Sequence, residues 1–146
     1  MYKNNPYYLK KMENNVDFIL EHMEGVTKKQ LENDPVLQDS MMLRLVQISE
    51  NAKNLTDDFR KLNNEIPWTD IYGLRNRIVH DYGHIDLQII YDTLTQDIKE
   101  IKDFITHVKL IHLTAGAEKN SPLFAKGCLQ ENPGITRLFQ APGFWL

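Results

Sequence analysis

Apolar residues recur at three- and four-residue intervals through most of the first 113 positions, and no stretch alternates convincingly as a strand would. Leu9, Met12, Val16, Ile19, Leu20 and Met23 form one such stripe, which predicts a helix from Pro6 to about Met23, ended by Gly25. Thr27 then reads as the N-cap of a short helix reaching about Asn33, and Asp34-Pro35 restarts the chain. A third helix is expected over about Val36–Leu55. Its seam is Leu37, Met41, Leu45, Ile48, Ala52 and Leu55, widened by Met42 and Val46. Thr56 to Asn64 reads as a polar connector anchored by Phe59 and Leu62. Pro67 opens a helix over about Trp68–Tyr82, with Trp68, Ile71, Leu74, Ile78 and Val79 on its apolar side and Gly83 as its terminator. Asp86 caps a last long helix, about Leu87–Ile111, along the seam Leu87, Leu94, Ile98, Ile101, Ile105 and Val108. The pattern therefore predicts an all-α antiparallel bundle of about four long helices plus a short one.

Beyond residue 113 the period is lost. Residues 114–146 mix Gly, Pro and Asn with scattered aromatics, ending in Phe144-Trp145-Leu146. The expected division is a helical domain over 1–113 and an irregular C-terminal tail over 114–146. That tail reads as disordered or loosely packed, as a non-native extension, or as a docking segment.

Composition narrows the function classes. A chain of 146 residues with 42% hydrophobic and 25% charged residues suits one domain with a real core. No apolar run approaches the roughly 20 residues that span a bilayer, and Met1-Tyr-Lys-Asn-Asn5 is too polar for a secretory signal. The single cysteine, Cys128, precludes an internal disulfide framework and fits a reducing cytoplasm, the expected location. There is no Gly-rich phosphate loop, dinucleotide fingerprint or Cys-x-x-Cys pair, so no cofactor is expected. The net charge is −3, and residues 1–113 carry 14 Lys/Arg against 18 Asp/Glu. Such a chain binds nucleic acid poorly through bulk charge. An RNA substrate would need a local patch, for which Arg75 and Arg77 are the candidates, perhaps joined by Lys10, Lys11, Lys28 or Lys29.

One stretch stands out for its chemistry: Arg75-Asn-Arg-Ile-Val-His80-Asp-Tyr82. It brings a permanent cation, an imidazole and a phenol together near a helix end. Positions four apart stack on a helix, so Asn76 and His80 share a face, and an Asn side chain there can hold an imidazole in one tautomer and orientation. Arg75 and Tyr82, seven apart, share the adjoining stripe. Arg75 lies about 140° from His80, but its long side chain can swing across. These groups suit phosphodiester cleavage without a metal: imidazole exchanges protons near neutral pH, and guanidinium grips phosphate oxygens.

The arginine, polar residue and histidine of this stretch resemble the signature of the HEPN superfamily. The fuller Arg-x-x-x-x-His-x-Tyr form resembles the HepT-like toxins, which pair with a minimal nucleotidyltransferase antitoxin. Ile66-Pro-Trp68, Ile71, Gly73 to Tyr82 and Ile85-Asp86 are similar to that family's pattern, as is Ile48-Ser-Glu50-Asn-Ala52-Lys upstream. The chain departs at Ser49 and Asn51, where small residues are usual, which bears on close helix packing. The resemblance covers about residues 6–112. It implies a HEPN-like fold and a homodimeric, metal-independent RNA endonuclease. Arg75 and His80 would be catalytic, with Asn76, Arg77 and Asp81 in support. Tyr82 would accept AMP from the antitoxin. One histidine per chain does not readily serve as both base and acid, whereas a two-fold axis would bring two His80 and two Arg75 to one cleft.

Blander readings stand beside these. In one, Arg75 caps Glu50 or Asp81 while His80 packs, and the Tyr82 ring only closes the helix end. The His80-x-x-x-His84 pair is also a possible zinc ligand spacing, though Gly83 should break the helix between its members. A non-catalytic helical module that binds a nucleotidyltransferase or RNA is the alternative from another class, and a plain dimerisation protein is a third.

Overall fold

A computed structural model describes residues 4–115, with side chains through residue 111. Within them the chain forms helices α1 (Asn5–Met23), α2 (Lys28–Glu32), α3 (Pro35–Lys53), α4 (Asp57–Leu62), α5 (Trp68–His80), α6 (Leu87–Asp92) and α7 (Ile98–Ala115). A 3₁₀ turn over Tyr82–His84 follows α5, and a π turn over Thr93–Asp97 joins α6 to α7. The described residues include no strand. The all-α bundle expected from periodicity is the observed fold.

Local chemistry sets most of the boundaries. The Asn4 side chain accepts from the Tyr7 N–H at the start of α1. Thr27 and Gln30 form a reciprocal capping box on α2, and Asp34 accepts from the Leu37 N–H beside Pro35. Gly25 adopts φ +70°, which an L side chain rarely adopts, and turns the chain out of α1.

Three expectations need correction. Thr56 to Asn64 is not a mere connector: Thr56 caps α4 by accepting from the Phe59 N–H at 3.3 Å. Phe59 packs on the core as expected, but Leu62 is 71% exposed and anchors nothing. The final helix is not uniform either. Five residues wind more loosely at Thr93–Asp97, yet Leu94 within the turn and Ile90 and Ile98 on either side remain buried, so the seam continues through the insertion. At its far end α7 runs through Ala115, into the first two residues of the segment expected to be irregular. The rest of that segment, with Cys128, lies outside the described residues.

The core forms where α1 packs on α3 and α7, and α3 on α5. Met12, Val16 and Ile19 of α1 meet Met41, Leu45 and Ile48 of α3, Ile71, Leu74 and Ile78 of α5, and Leu94, Ile98 and Ile105 of the last rod. Ser49 and Asn51 are both buried. The Asn51 side chain donates to the Gln47 carbonyl at 2.6 Å, whereas the Ser49 hydroxyl has no hydrogen-bond partner. These two departures from the family pattern therefore fall where helices pack.

A charged cluster clamps α1 to α7. Glu13, 8% exposed, receives Lys10 at 3.1 Å, Lys102 at 3.2 Å and Lys109. The lysines, with Lys109 foremost, lower its pKa from 4.5 to about 2. A depressed folded-state value means that the stabilisation is complete above the ordinary value and drains away as pH falls from about 4.5 towards 2. Glu13→Gln should therefore cost about 2 kcal/mol at neutral pH, after allowance for the part-exposed lysines, and little at pH 2. Urea unfolding of both proteins across that range measures the convergence. A gap that stayed constant with pH would show that the cluster contributes through packing alone.

Candidate active site

The motif helix is fixed before its functional residues begin. Trp68 Nε1 donates to the carbonyls of Asn63 at 3.0 Å and Arg60 at 3.2 Å, and its ring meets Phe104 edge-on at 6.0 Å. One turn later, the Tyr72 hydroxyl accepts from Arg60 at 2.8 Å and donates to the Ala52 carbonyl at 3.4 Å. Ile71, Leu74 and Ile78 are buried. The start of α5 is thus tied to α3, α4 and α7, which leaves its second half to present polar groups at a set angle.

The helix ends earlier than the glycine suggested. Asp81 leaves helical geometry at φ −133°, ψ 30°, its N–H still bonded to the Arg77 carbonyl at 2.9 Å. His80 is the last helical residue, and Tyr82 lies in the 3₁₀ turn, which the His84 N–H closes by donating to the Asp81 carbonyl at 2.9 Å. Gly83 takes no left-handed conformation, so the break precedes it and owes nothing to its freedom. His80 and His84 sit on different elements, and the helical alignment that their spacing would give does not form. His84 Nδ1 lies 3.5 Å from the Asp81 carboxylate instead.

Arg75 and His80 behave differently. Arg75 Nε donates to Glu50 of α3 at 2.6 Å, and its Nη1 donates to the Asn76 side-chain oxygen at 3.2 Å. Glu50 is thus the carboxylate that Arg75 takes, and Asn76 holds Arg75 rather than His80, contrary to the expected role. A guanidinium has five N–H donors, so these two bonds leave three for another ligand. His80 does not pack. It is exposed, and the described residues place no hydrogen-bond or ion-pair partner on its ring.

Arg77, two residues beyond Arg75, lies about 200° round the helix and does not join it. It lines a small cleft of about 90 Å³ with Leu74, Asp81, His84 and Ile85. Of the lysines considered for a shared patch, Lys10 pairs with Glu13 and Lys28 with Glu32, and Lys11 lies over the Tyr7 ring.

Three residues of α3 that the sequence does not single out, Val36, Asp39 and Leu43, complete the surface. The Tyr82 hydroxyl donates to Asp39 of α3, 43 positions away. Together with the Arg75–Glu50 pair, this contact shows α3 and α5 running antiparallel: later residues of α5 meet earlier residues of α3. Arg75 and Val79 share one stripe of α5, Tyr82 of the following 3₁₀ turn reaches α3 through Asp39, and Asp39, Leu43 and Glu50 share one stripe of α3. Val79 (48% exposed) and Leu43 (57%) therefore lie between two polar clasps, and Val36 (78%) extends the apolar strip. Val79 was expected on the buried side. The only sequence signal for Leu43 and Val36 was their falling outside the buried stripe of α3. Among the described residues, no helix is long and apolar enough to cross a membrane.

Comparison with known proteins identifies the family of the chain. Residues 12–108, which include all of α3 and α5, match the model of the family described as Ribonuclease HepT-like. A protein of Caldanaerobacter subterraneus subsp. tengcongensis that bears an RNase name is 29% identical over 101 residues, covering 69% of this chain and 90% of that protein. A Thermococcus cleftensis protein named as a ribonuclease HepT is 27% identical over 95 residues, covering 65% and 86%. A longer Methanocaldococcus jannaschii protein, named both as a gamma-glutamylcyclotransferase and as an RNase, is 26% identical over 138 residues, 94% of this chain but 62% of that protein. No solved structure gives a significant match. With the match spanning the bundle and the whole Arg75 to Tyr82 motif, the chain belongs to the family of HepT-like ribonucleases.

Proposed function

We propose that this protein is the RNA endonuclease toxin of a toxin–antitoxin pair, works as a homodimer without a metal, and is neutralised by a minimal nucleotidyltransferase that transfers AMP to Tyr82. The observation that carries this reading is the exposed His80 at the end of α5, with no partner on its ring among the described residues, one helical turn and a residue from Arg75. The RNase names of the relatives support the same substrate class.

In this mechanism one His80 removes the proton from a ribose 2′-hydroxyl. The 2′-oxygen attacks the adjacent phosphorus, and the bond to the 5′-oxygen breaks. The second His80 of the dimer, entering as imidazolium, protonates the leaving oxygen. Arg75 spans the charge that builds on the phosphorane through the guanidinium donors not held by Glu50 and Asn76. The products are a 2′,3′-cyclic phosphate, or its opened form, and a free 5′-hydroxyl. Dimerisation through the strip of Val36, Leu43 and Val79 would cover its exposed apolar surface and set two motif helices side by side. An adenylyl group on Tyr82 would add bulk and negative charge beside that cleft.

The purified protein should cleave single-stranded RNA in excess chelator and leave cyclic phosphate ends. Leu43→Asp combined with Val79→Asp should convert the dimer to monomer in sedimentation and lower cleavage on the order of 10²-fold, because a lone protomer presents one histidine where two are needed. A monomeric variant that cut at the parental rate would end the shared-cleft mechanism. The second reading, a helical module that binds RNA or a nucleotidyltransferase without cutting, draws on the Arg75–Glu50 pair and the acidic charge balance. It predicts salt-sensitive RNA binding with no products.

A further inference from the structure

The Tyr82 hydroxyl donates to the Asp39 carboxylate across the gap between the α5 end and α3. Tyr82 is 47% exposed and Asp39 is exposed too. A contact so open to water contributes little to holding the helices together. It lies at the far end of the strip from the Arg75–Glu50 pair, and the ring has a solvent side by which a second active site can approach. An ionised carboxylate only accepts hydrogen bonds, so it is suited to take the proton that the phenol must lose when its oxygen becomes a nucleophile.

We infer that Asp39 is the base that activates Tyr82 for nucleotidyl transfer and that its charge afterwards drives the transferred group off α3. This rests on the reading of Tyr82 as the acceptor. The phenolic oxygen attacks the α-phosphorus of a nucleoside triphosphate held by the partner nucleotidyltransferase. The bond from that phosphorus to the oxygen bridging to the β-phosphate breaks, its electron pair leaves with pyrophosphate, and the phenolic proton passes to Asp39. The product oxygen carries no hydrogen and cannot donate to Asp39. Once Asp39 has returned its proton to water, it faces a phosphodiester anion and repels it. Arg75, which also faces α3, lies seven positions back, so the nucleotide is pushed towards the groups proposed to cut RNA. Modification thus exchanges a phenol–carboxylate contact for a phosphate that competes for the guanidinium.

The test incubates the full-length protein with its partner nucleotidyltransferase and α-labelled ATP, and follows label on Tyr82 by peptide mass spectrometry. Asp39→Asn should slow labelling by about 10²-fold, and Asp39→Glu should recover much of the rate. The pH profile of labelling should differ between the two proteins, with Asp39→Asn gaining rate only in alkaline solution, where hydroxide replaces the base. A merely structural role for Asp39 would leave the shape of the pH profile unaltered. Thermal unfolding of each variant confirms that the bundle is intact. Equal labelling of wild type and Asp39→Asn, with the same profile, would overturn the role of Asp39 alone. Wild-type protein that takes no label on Tyr82 would overturn the acceptor reading and this inference with it.

Discussion

His80→Ala should abolish measurable RNA cleavage and growth arrest while leaving the fold unchanged. The expected loss is about 10²–10⁴-fold, the contribution of a positioned proton-transfer group. In a homodimer the substitution removes base and acid at once, which places the result at the upper end of that range. Stability should hardly move. The side chain is exposed and its ring has no partner among the described residues, so truncation leaves no cavity and no orphaned buried atom. This separation of activity from stability distinguishes a chemical role from a packing role. Heterodimers of wild-type and His80→Ala protomers sharpen the test. If each protomer supplies one of two distinct proton transfers, the mixed dimer is nearly as inactive as the double variant. A folded His80→Ala protein that cuts RNA at the wild-type rate removes this residue from the mechanism.

Much of the scaffold could be read from short-range pattern. The buried stripe of α1, the caps at Thr27 and Asp86 and the restart at Asp34-Pro35 are decided within one or two turns, and the structure follows them closely. The errors arose where tertiary contact outweighed local preference. Gly83 is a good helix terminator in isolation, but the chain leaves α5 at Asp81, and the 3₁₀ turn carries Tyr82 to Asp39. The π turn is invisible in the sequence because Ile90, Leu94 and Ile98 keep four-residue spacing through it. Thr56 was passed over as a cap because the segment after it is so polar, although Phe59 gives α4 one buried contact. The candidate site shows the same division. Arg75, His80 and Tyr82 are legible because they share one helix end and a family pattern. Their partners on α3 are 25 and 43 positions away, beyond any periodicity. In the sequence Glu50 is only one of two possible counterions, and nothing points to Asp39. Asn76 was assigned to His80 by spacing alone. The i, i+4 rule establishes that two side chains are near neighbours, but it does not say which competitor wins, and a charged guanidinium next door outbids a neutral imidazole.

Arg75→Ala should lower cleavage by about 10²–10³-fold, the cost of removing one preorganised charge donor from a developing phosphorane. The more discriminating variant is Arg75→Lys. Lysine keeps the positive charge, so RNA binding and its salt dependence should remain close to wild type. Cleavage should nevertheless stay low, because an ammonium group is a compact point charge without a rigid fork of donors. Arg75 uses its Nε on Glu50 and one Nη on Asn76, which fixes the plane of the guanidinium and leaves its outer edge for phosphate. A lysine drawn to Glu50 has no second face to offer. The loss should therefore appear in kcat, with KM nearly unchanged, the signature of an interaction made chiefly in the transition state. The ion pair itself adds little stability, since its side chains are 27% and 39% exposed, and either variant should unfold within about 1 kcal/mol of wild type. Glu50→Gln provides the control for orientation. It leaves the arginine in place but weakens its clasp, so cleavage should fall less than with Arg75→Ala. Restoration of wild-type kcat by lysine, or an Arg75→Ala protein with undiminished kcat, would mean that the guanidinium serves only to bind α5 to α3.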